Sequence, residues 1–200
     1  MKHLKQLKEL QKNSSDRRLA AENWKRPWQT LIATALSART KDSTTIPLAD
    51  ILFKKYNTIE KLAKANAKNV EEIIRKVNYH KTKARNVINC AKMLIKDYRG
   101  KVPLDLDELV KLPGVGRKTA NVFLAVMGKD TIGIDTHLSY VSQKLGWSKN
   151  NKPEKIERDL QNLFPKRYWG KLNYIVVRFG QTNTNKKNKD KLLEEIKSIK

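Results

Sequence analysis

Apolar residues recur along this chain with the spacing of helices, and no segment alternates convincingly between apolar and polar residues as a strand would. One apolar helical face follows Pro27, a residue that the first turn of a helix tolerates: Trp28, Leu31, Ile32, Ala35 and Leu36. Further helices fit residues 83–98, 117–127, 136–145, 153–163, 168–178 and 188–199. Short polar turns join these segments, so the pattern predicts an all-α protein.

Capping signals divide the pattern into short helices. Three pairs have capping-box spacing ahead of an apolar stripe: Asn57 with Glu60, Asn69 with Glu72, and Asp105 with Glu108. Three glycines stand just beyond predicted helix ends: Gly100, Gly128 and Gly146. The chain has no internal repeat, and only residues 183–191 are polar enough to suggest a mobile connection.

The charge balance points to a polyanionic partner. The 200 residues include 43 Lys and Arg but only 20 Asp and Glu, which gives a formal net charge of +23. Nucleic acid is the first partner to consider and an anionic membrane surface the second. Lysine-rich surfaces also occur in heat-adapted proteins, but those usually carry matching glutamate. We therefore favour nucleic acid.

The single cysteine excludes an internal disulfide and any metal cluster made of cysteines alone. Cys90 lies in an apolar helical pattern, which indicates a buried, inert thiol. No apolar run approaches the roughly 18 residues needed to cross a bilayer, and the N-terminus lacks the apolar core of a signal peptide. We expect an intracellular, cytoplasmic, nucleoid-associated protein without a targeting segment.

Two glycines and a lysine stand close together in "LPGVGRKTA", residues 112–120. The spacing does not fit a P-loop, and the preceding segment is helical, so the unit is helix, tight turn, helix. Gly114 and Gly116 could adopt positive φ and let a phosphate approach, with the next helix presenting its N-terminus. A plain turn between helices explains the glycines equally well.

The stretches "LPGVGRKTANVFLAVMG" and "IGIDTH" resemble the helix-hairpin-helix and aspartate loop of the endonuclease III family of DNA glycosylases, in the HhH-GPD superfamily. The likeness extends upstream through "LIATALSARTKD" and "VNYHKTKARNVINCAKML". The resemblance implies two helical subdomains with a DNA-binding cleft between them. The expected domains are residues 24–130, with six helices and a hairpin at 106–127, and residues 1–23 plus 131–200, which carry the catalytic aspartate.

The resemblance implies that Lys118 is the nucleophile and Asp135 the second catalytic group. Breaking a base–sugar bond builds positive charge on the sugar, which a carboxylate stabilises. An amine that attacks C1′ forms a Schiff base, and β-elimination of the 3′ phosphate then cuts the strand. Without the resemblance, Lys118 would be an ordinary surface lysine and Asp135 an ordinary N-cap, and Asp135 could serve as both cap and catalyst.

The remaining DNA contacts are also implied by resemblance. They comprise residues that fill the space left by a flipped nucleotide and residues of the hairpin: Arg39, Asn78, Tyr79, His80, Lys81, Gly114, Val115, Gly116 and Arg117. The family commonly has glutamine at the position of Arg39 and an aliphatic residue at that of Tyr79. An aromatic wedge can still stack between bases. Alternatively, Tyr79 packs on the core and Arg39 pairs only with a phosphate.

Two further polar residues lie near these segments. Asp42 could line the lesion pocket, but "KDSTT" is also a natural helix start, and we favour Asp42 as a cap. His137 is read as a structural residue that holds the aspartate loop. The three histidines do not cluster in the sequence, and no metal site is expected.

The C-terminal segment departs from the family. Many members carry four cysteines there that bind an iron–sulfur cluster, whereas this chain reads "RFGQTNTNKKNKDKLLEEIKSIK". The cluster cannot form, and no cofactor is expected. Arg178, Phe179 and Gly180 match the approach to that region. Lysines of the replacement segment, namely Lys186, Lys187 and Lys189, either contact phosphates or belong to a disordered tail.

These features predict a monomeric, bifunctional DNA glycosylase and apurinic/apyrimidinic lyase that acts on oxidised pyrimidines in damaged duplex DNA and does not bind membranes. One alternative keeps the fold but removes uracil or thymine mispaired with guanine, or an oxidised purine. Lys118 argues against an enzyme confined to base removal. The other alternative is a helix-hairpin-helix DNA-binding protein without catalysis, which needs neither Lys118 nor Asp135.

Overall fold

The computed structural model describes residues 1–199, and within that range it contains helices and no strand, so the predicted all-α class is confirmed. Twelve α-helices and a 3₁₀ helix at Lys166–Tyr168 make up the described range. The α-helices are α1 (Lys2–Lys12), α2 (Pro27–Ser37), α3 (Asp42–Lys55), α4 (Ile59–Ala63), α5 (Ala67–Ile73), α6 (His80–Tyr98), α7 (Leu106–Leu109), α8 (Arg117–Val126), α9 (Thr136–Leu145), α10 (Pro153–Leu163), α11 (Trp169–Thr182) and α12 (Lys186–Ser198). No helix in this range is long and apolar enough to cross a membrane.

The chain divides into two compact units. The central unit is Arg18–Met127, and the terminal unit combines Met1–Arg17 with the chain from Gly128 onward. The expected boundaries were at residues 24 and 130. The central unit holds α2 to α8, including α3, which starts at the KDSTT segment and continues through Pro47.

The central unit forms around α2 and α6. Helix α6 packs against α4 and α5, and α2 packs against α3 and α8. Apolar side chains from all seven helices make one core, in which Leu31, Leu36, Leu94 and Phe123 are fully buried. Removal of this apolar surface from water stabilises the unit by about 25 cal/mol per Å². The core fixes α2, α6 and the hairpin between α7 and α8 against one another.

The terminal unit has its own core. Helix α11 packs against α1 and α9, and α12 packs against α9. Leu10, Leu138, Phe179 and Leu193 are fully buried in this core. Residues from both ends of the chain are therefore needed to hold α9, the helix that begins after Asp135.

The helix ends confirm some capping predictions and correct others. Asp105 caps α7 by accepting the Glu108 N–H at 3.0 Å, as predicted. The caps of α4 and α5 are Thr58 and Asn66, not the predicted Asn57 and Asn69. Both predictions were wrong because several polar residues precede each short apolar stripe, and only tertiary packing selects where the first turn begins. Gly100, Gly128 and Gly146 all have positive φ, as expected of residues that end helices.

Candidate DNA-repair site

The hairpin consists of α7, a tight turn and α8, as the sequence predicts. The Val115 N–H donates to the Leu112 carbonyl at 3.0 Å and closes the turn. The Val115 side chain is buried in the core of the central unit, while Gly114 and Gly116 on either side of it are exposed. Val115 therefore offers a ligand only its backbone, and its side chain anchors the turn.

The two glycine positions of the hairpin differ in whether the fold requires glycine there. Gly114 has φ +80°, and a Cβ at this position would lie 2.9 Å from the Cβ of Asn86. Gly116 has φ −91°, so the expectation of positive φ is confirmed at Gly114 and wrong at Gly116. No atom lies within 4 Å of where a Cβ of Gly116 would stand. The structure thus needs glycine at position 114, whereas glycine at position 116 leaves open space beside the backbone.

The first turn of α8 carries positive charge. It begins after Gly116, which has no side chain to cap the helix, and it contains Arg117 and Lys118 but no acidic residue. The first N–H groups of a helix lack partners within the helix, and the helix dipole places partial positive charge there. Two cations at this end disfavour the isolated helix and favour an anion beside it. Arg117 is exposed and Lys118 is half-buried.

Two loops of the central unit, predicted separately, lie against each other. The Asn78 side-chain amide donates to the Arg39 carbonyl, and the Asn78 N–H donates to the Thr40 hydroxyl at 3.1 Å. The Arg39 guanidinium lies 5.2 Å from the centroid of the Tyr79 ring. Tyr79 is 57% exposed, so the alternative in which it packs on the core is wrong. The chain turns sharply at Tyr79 to start α6, and this turn directs the ring outward.

His80 and Lys81 are the first two residues of α6. The His80 Nε2 lies 3.6 Å from a Glu71 carboxylate oxygen, which links α6 to α5. Lys81 is exposed beside it. Asp42 is the first residue of α3, and Lys41 occupies the N-cap position, so the prediction that Asp42 caps this helix was wrong. A carboxylate in the first turn still stabilises α3 through the helix dipole.

Asp135 is the N-cap of α9. One of its carboxylate oxygens, Oδ1, accepts the Leu138 N–H at 2.8 Å. The carboxylate is half-buried, and it lines a cavity together with Tyr140 and Gln143. The prediction that Asp135 caps the helix is confirmed. The cap fixes the position of the carboxylate and leaves its other oxygen, Oδ2, outside that hydrogen bond.

Residues of α11 hold the segment that carries Asp135. The buried Asn173 amide donates to the Gly133 carbonyl at 2.6 Å. His137 packs on Gly180, where an added Cβ would lie 2.1 Å from the His137 Nδ1. Asn173 was not among the predicted residues, because its only signal in the sequence is an amide at a buried helical position. The glycine at 180 provides the space that the His137 ring occupies.

The C-terminal segment is folded. Asn185 caps α12 by accepting the Asn188 N–H at 3.1 Å, and Leu193 and Ile196 are buried against the rest of the terminal unit. The alternative of a disordered tail is therefore wrong for residues 186–198. Lys189 lies 5.0 Å from the Tyr140 ring, and the Asp190 carboxylate accepts the Tyr140 hydroxyl.

The residues of this chain do not fit an iron–sulfur cluster. The cluster of this family is held by four cysteines, and other iron–sulfur clusters also use several, whereas Cys90 is the single cysteine of this chain. Burial in α6 of the central unit raises the pKa of the Cys90 thiol to about 12. Helix α12 occupies the stretch of chain that follows Arg178, Phe179 and Gly180. Within residues 1–199, no three side chains of His, Cys, Asp or Glu lie together in a way that could hold a metal ion.

The all-helical fold and the hairpin between α7 and α8 are those of a helix-hairpin-helix protein, and comparison with known proteins identifies the family. Residues 32–166 match the model of the HhH-GPD superfamily base excision DNA repair proteins. Endonuclease III of Thermotoga maritima is 40% identical over 156 residues, which cover 78% of this chain and 73% of the relative. Endonuclease III of Bacillus subtilis is 37% identical over 157 residues, covering 78% and 72%.

Solved structures agree with these relatives. A trapped covalent intermediate of endonuclease III with DNA superposes with a TM-score of 0.82 at 35% identity, covering 90% of this chain and 86% of that one. A non-covalent endonuclease III–DNA complex has the same TM-score at 34% identity, with the same coverage. The chain belongs to the endonuclease III family of the HhH-GPD superfamily.

Proposed function

We propose that this protein removes oxidised pyrimidines from duplex DNA and cuts the strand at the resulting site. Membership of the endonuclease III family makes it a DNA glycosylase and apurinic/apyrimidinic lyase of base excision repair. The lesion and the roles of individual residues are our proposal. The observation that carries the proposed residue roles is the first turn of α8, where two cations follow an open glycine backbone.

The hairpin binds a DNA backbone phosphate in this proposal. The space beside Gly116 lets a phosphate oxygen reach the N–H groups at the start of α8. Arg117 adds positive charge at the same end of the helix. These contacts are independent of sequence, as is the attraction of a chain with a formal charge of +23 to DNA. The hairpin therefore positions the duplex and leaves lesion choice to other residues.

Lys118 is the nucleophile in this proposal. Its amine attacks C1′ of the damaged nucleotide, the bond from C1′ to the base breaks, and the base leaves with the bonding electron pair and gains a proton. Opening of the sugar ring gives a Schiff base between Nζ and C1′. Loss of a C2′ proton then expels the 3′ phosphate, and water releases the sugar fragment from the lysine. Asp135 stabilises the positive charge that develops on the sugar as the base departs.

Arg39 and Tyr79 occupy the space that the damaged nucleotide leaves in the duplex when it rotates out. The exposed Tyr79 ring can stack between bases, and the Arg39 guanidinium beside it can donate to the base left unpaired. Asn78, His80 and Lys81, which are neighbours of Tyr79 in the sequence, approach the backbone of the same DNA segment in this proposal. We further propose that the protein works as a cytoplasmic monomer associated with the nucleoid.

The test uses end-labelled duplexes that each contain one base or pair: thymine glycol, uracil opposite guanine, thymine opposite guanine, 8-oxoguanine, or no damage. Wild-type protein should cleave the thymine-glycol duplex best, and borohydride should trap a covalent complex with it. Lys118→Ala should form no trapped complex but still bind the duplex. Lys129→Ala, at an exposed lysine beyond the end of α8, should behave as wild type.

Each other outcome has a defined meaning. Preferential cleavage of the uracil, thymine or 8-oxoguanine duplex would reject the proposed lesion and support the corresponding alternative substrate. Binding that falls steeply with salt but shows neither lesion preference nor cleavage would reject the enzyme. A covalent complex with Lys118→Ala would reject Lys118 as the nucleophile.

A further inference from the structure

Lys83, near the start of α6, bonds to the end of another helix. Its ammonium group donates to the Leu36 carbonyl at 2.7 Å and to the Ala38 carbonyl at 2.6 Å. These carbonyls belong to the last turn of α2 and the residue that follows it. The Lys83 stem borders an apolar cavity of about 200 Å³ in the central unit. Burial lowers the pKa of Lys83 to about 8, so the group is still an ammonium at neutral pH.

The end of α2 needs this partner. The last carbonyls of a helix lack N–H donors and carry partial negative charge. Helix α2 has no basic residue in its own last turn, and Ala38 at its C-cap has no polar side chain. Lys83 therefore supplies both the hydrogen bonds and the positive charge from α6. Two carbonyl acceptors also hold its amine as an ammonium, which argues against a role as a second nucleophile.

The bonds of Lys83 end next to Arg39, which has φ 58°. Tyr79, whose ring lies beside the Arg39 guanidinium, has φ 60°. Left-handed conformations of residues other than glycine persist only where the surrounding structure imposes them. Asn78 binds the loop after Arg39 on one side, and Lys83 binds the loop before it on the other. Both residues of the exposed pair are thus held in place before any ligand arrives.

We propose that Lys83 is a positioning residue for lesion recognition: by binding the Leu36 and Ala38 carbonyls, it holds Arg39 and Tyr79 as one preformed wedge for insertion into DNA. This inference rests on the proposed function. A wedge that is already in its binding conformation binds DNA with its full affinity. The apparent affinity of a mobile loop is lower, because it is reduced by the fraction of molecules in the binding conformation. Lys83 therefore sets lesion preference and does not touch the DNA.

The experiment compares wild type with Lys83→Met, which keeps the apolar stem but has no donors, and with Lys83→Arg, which keeps charge and donors. Lys92→Met is the matched control, because Lys92 is exposed on the same helix. Affinity is measured for a duplex with a non-cleavable tetrahydrofuran abasic analogue and for an undamaged duplex. The analogue stands opposite 2-aminopurine, whose fluorescence reports on its stacking when unpaired. Thermal unfolding of each variant checks the fold.

Lys83→Met should lower the preference for the abasic duplex about tenfold, the change expected if the competent wedge falls to about a tenth of the population. Its affinity for undamaged DNA should stay within about twofold of wild type, because the charge that is removed faces two carbonyls and not a phosphate. The 2-aminopurine signal should move toward that of the free duplex. Lys83→Arg should restore much of the preference, and Lys92→Met should match wild type.

An unchanged preference and an unchanged 2-aminopurine signal in Lys83→Met would overturn the inference while leaving the proposed function intact. An equal loss of affinity for both duplexes would also overturn it, because Lys83 would then act through general binding or folding. If Lys83→Met does not fold, Lys83→Leu, which also lacks donors and charge, takes its place with the same expectations. Absence of lesion preference in the wild type would instead reject the proposed function.

Discussion

The Asn173 side-chain amide donates to the Gly133 carbonyl at 2.6 Å, and this bond ties α11 to the segment that leads into Asp135. Asn173 is buried, so the carbonyl has no ready access to water if the amide is removed. An unsatisfied buried carbonyl costs about 1–3 kcal/mol. The same bond limits movement of the backbone two residues before the proposed catalytic carboxylate.

We therefore expect Asn173→Ala to lower the stability of the protein by about 1–3 kcal/mol and to slow base removal at saturating enzyme. Denaturant unfolding and single-turnover release of thymine glycol measure the two effects. Asn162→Ala, which truncates an exposed asparagine on α10, is the control and should change neither. A variant that unfolds earlier but removes the base at the wild-type rate would show that the bond serves the fold alone.

Substitutions of Asp135 should distinguish its role as the N-cap of α9 from its proposed role as a catalytic carboxylate. Asn is as good an N-cap as Asp, so Asp135→Asn should keep the stability of wild type, whereas Asp135→Ala should lose about 1 kcal/mol. Both variants should slow removal of thymine glycol by on the order of 10²-fold or more, because both lose the negative charge. Cleavage of a preformed abasic site should suffer less. Full base removal by Asp135→Asn would contradict the catalytic role.

The hairpin glycines should respond differently to the same substitution. Gly116→Ala should lose less than about 1 kcal/mol of stability, because alanine is a poorer N-cap than glycine but φ −91° suits any residue and the new methyl group meets no atom within 4 Å. It should nevertheless weaken DNA binding about tenfold, as expected if a methyl group displaces a phosphate from one charge-assisted contact. Gly114→Ala should destabilise the protein, because it combines φ +80° with a clash against Asn86. Unaltered DNA affinity in Gly116→Ala would argue that the hairpin is only a turn.

Cys90 should be inert in the folded protein and should link stability to alkaline pH. Its pKa of about 12 when buried exceeds its ordinary value of 9.0, so the unfolded chain releases the thiol proton first as the pH rises. The stabilisation from burying the neutral thiol is complete below pH 9 and is lost between about pH 9 and pH 12. A thiol reagent at pH 8 should therefore label Cys90 only after unfolding.

The stability of wild type should fall relative to that of Cys90→Ala by about 1 kcal/mol between pH 8 and pH 10, close to one pKa unit of linkage. Comparing the two proteins cancels the many lysines that titrate in the same range. Parallel stability curves would mean that the thiol is not buried as the structure describes it.

Local patterns in the sequence were sufficient for features that depend on neighbouring residues. The bounds of α9 and α10, the Asp105 cap, the Asp135 cap and the hairpin follow from periodicity and capping chemistry, which act over a few residues. Where several polar residues precede a short helix, as at Thr58 and Asn66, local preference does not decide the first turn. At α3, the KDSTT segment indicated the start of a helix, but Pro47 lies inside that helix, and packing against α2 stabilises it.

The sequence by itself determined the helical class, the basic charge and, through family motifs, the candidate residues Lys118 and Asp135. Only the tertiary structure showed that Asn78 binds the Arg39 loop, 39 positions away, and that Asn173 binds Gly133, 40 positions away. The sequence shows that Lys83 lies within the apolar stripe of α6. It does not show which carbonyls at the end of α2 accept its hydrogen bonds. Hydrogen bonds between distant segments depend on how helices pack, and no short-range spacing encodes that arrangement.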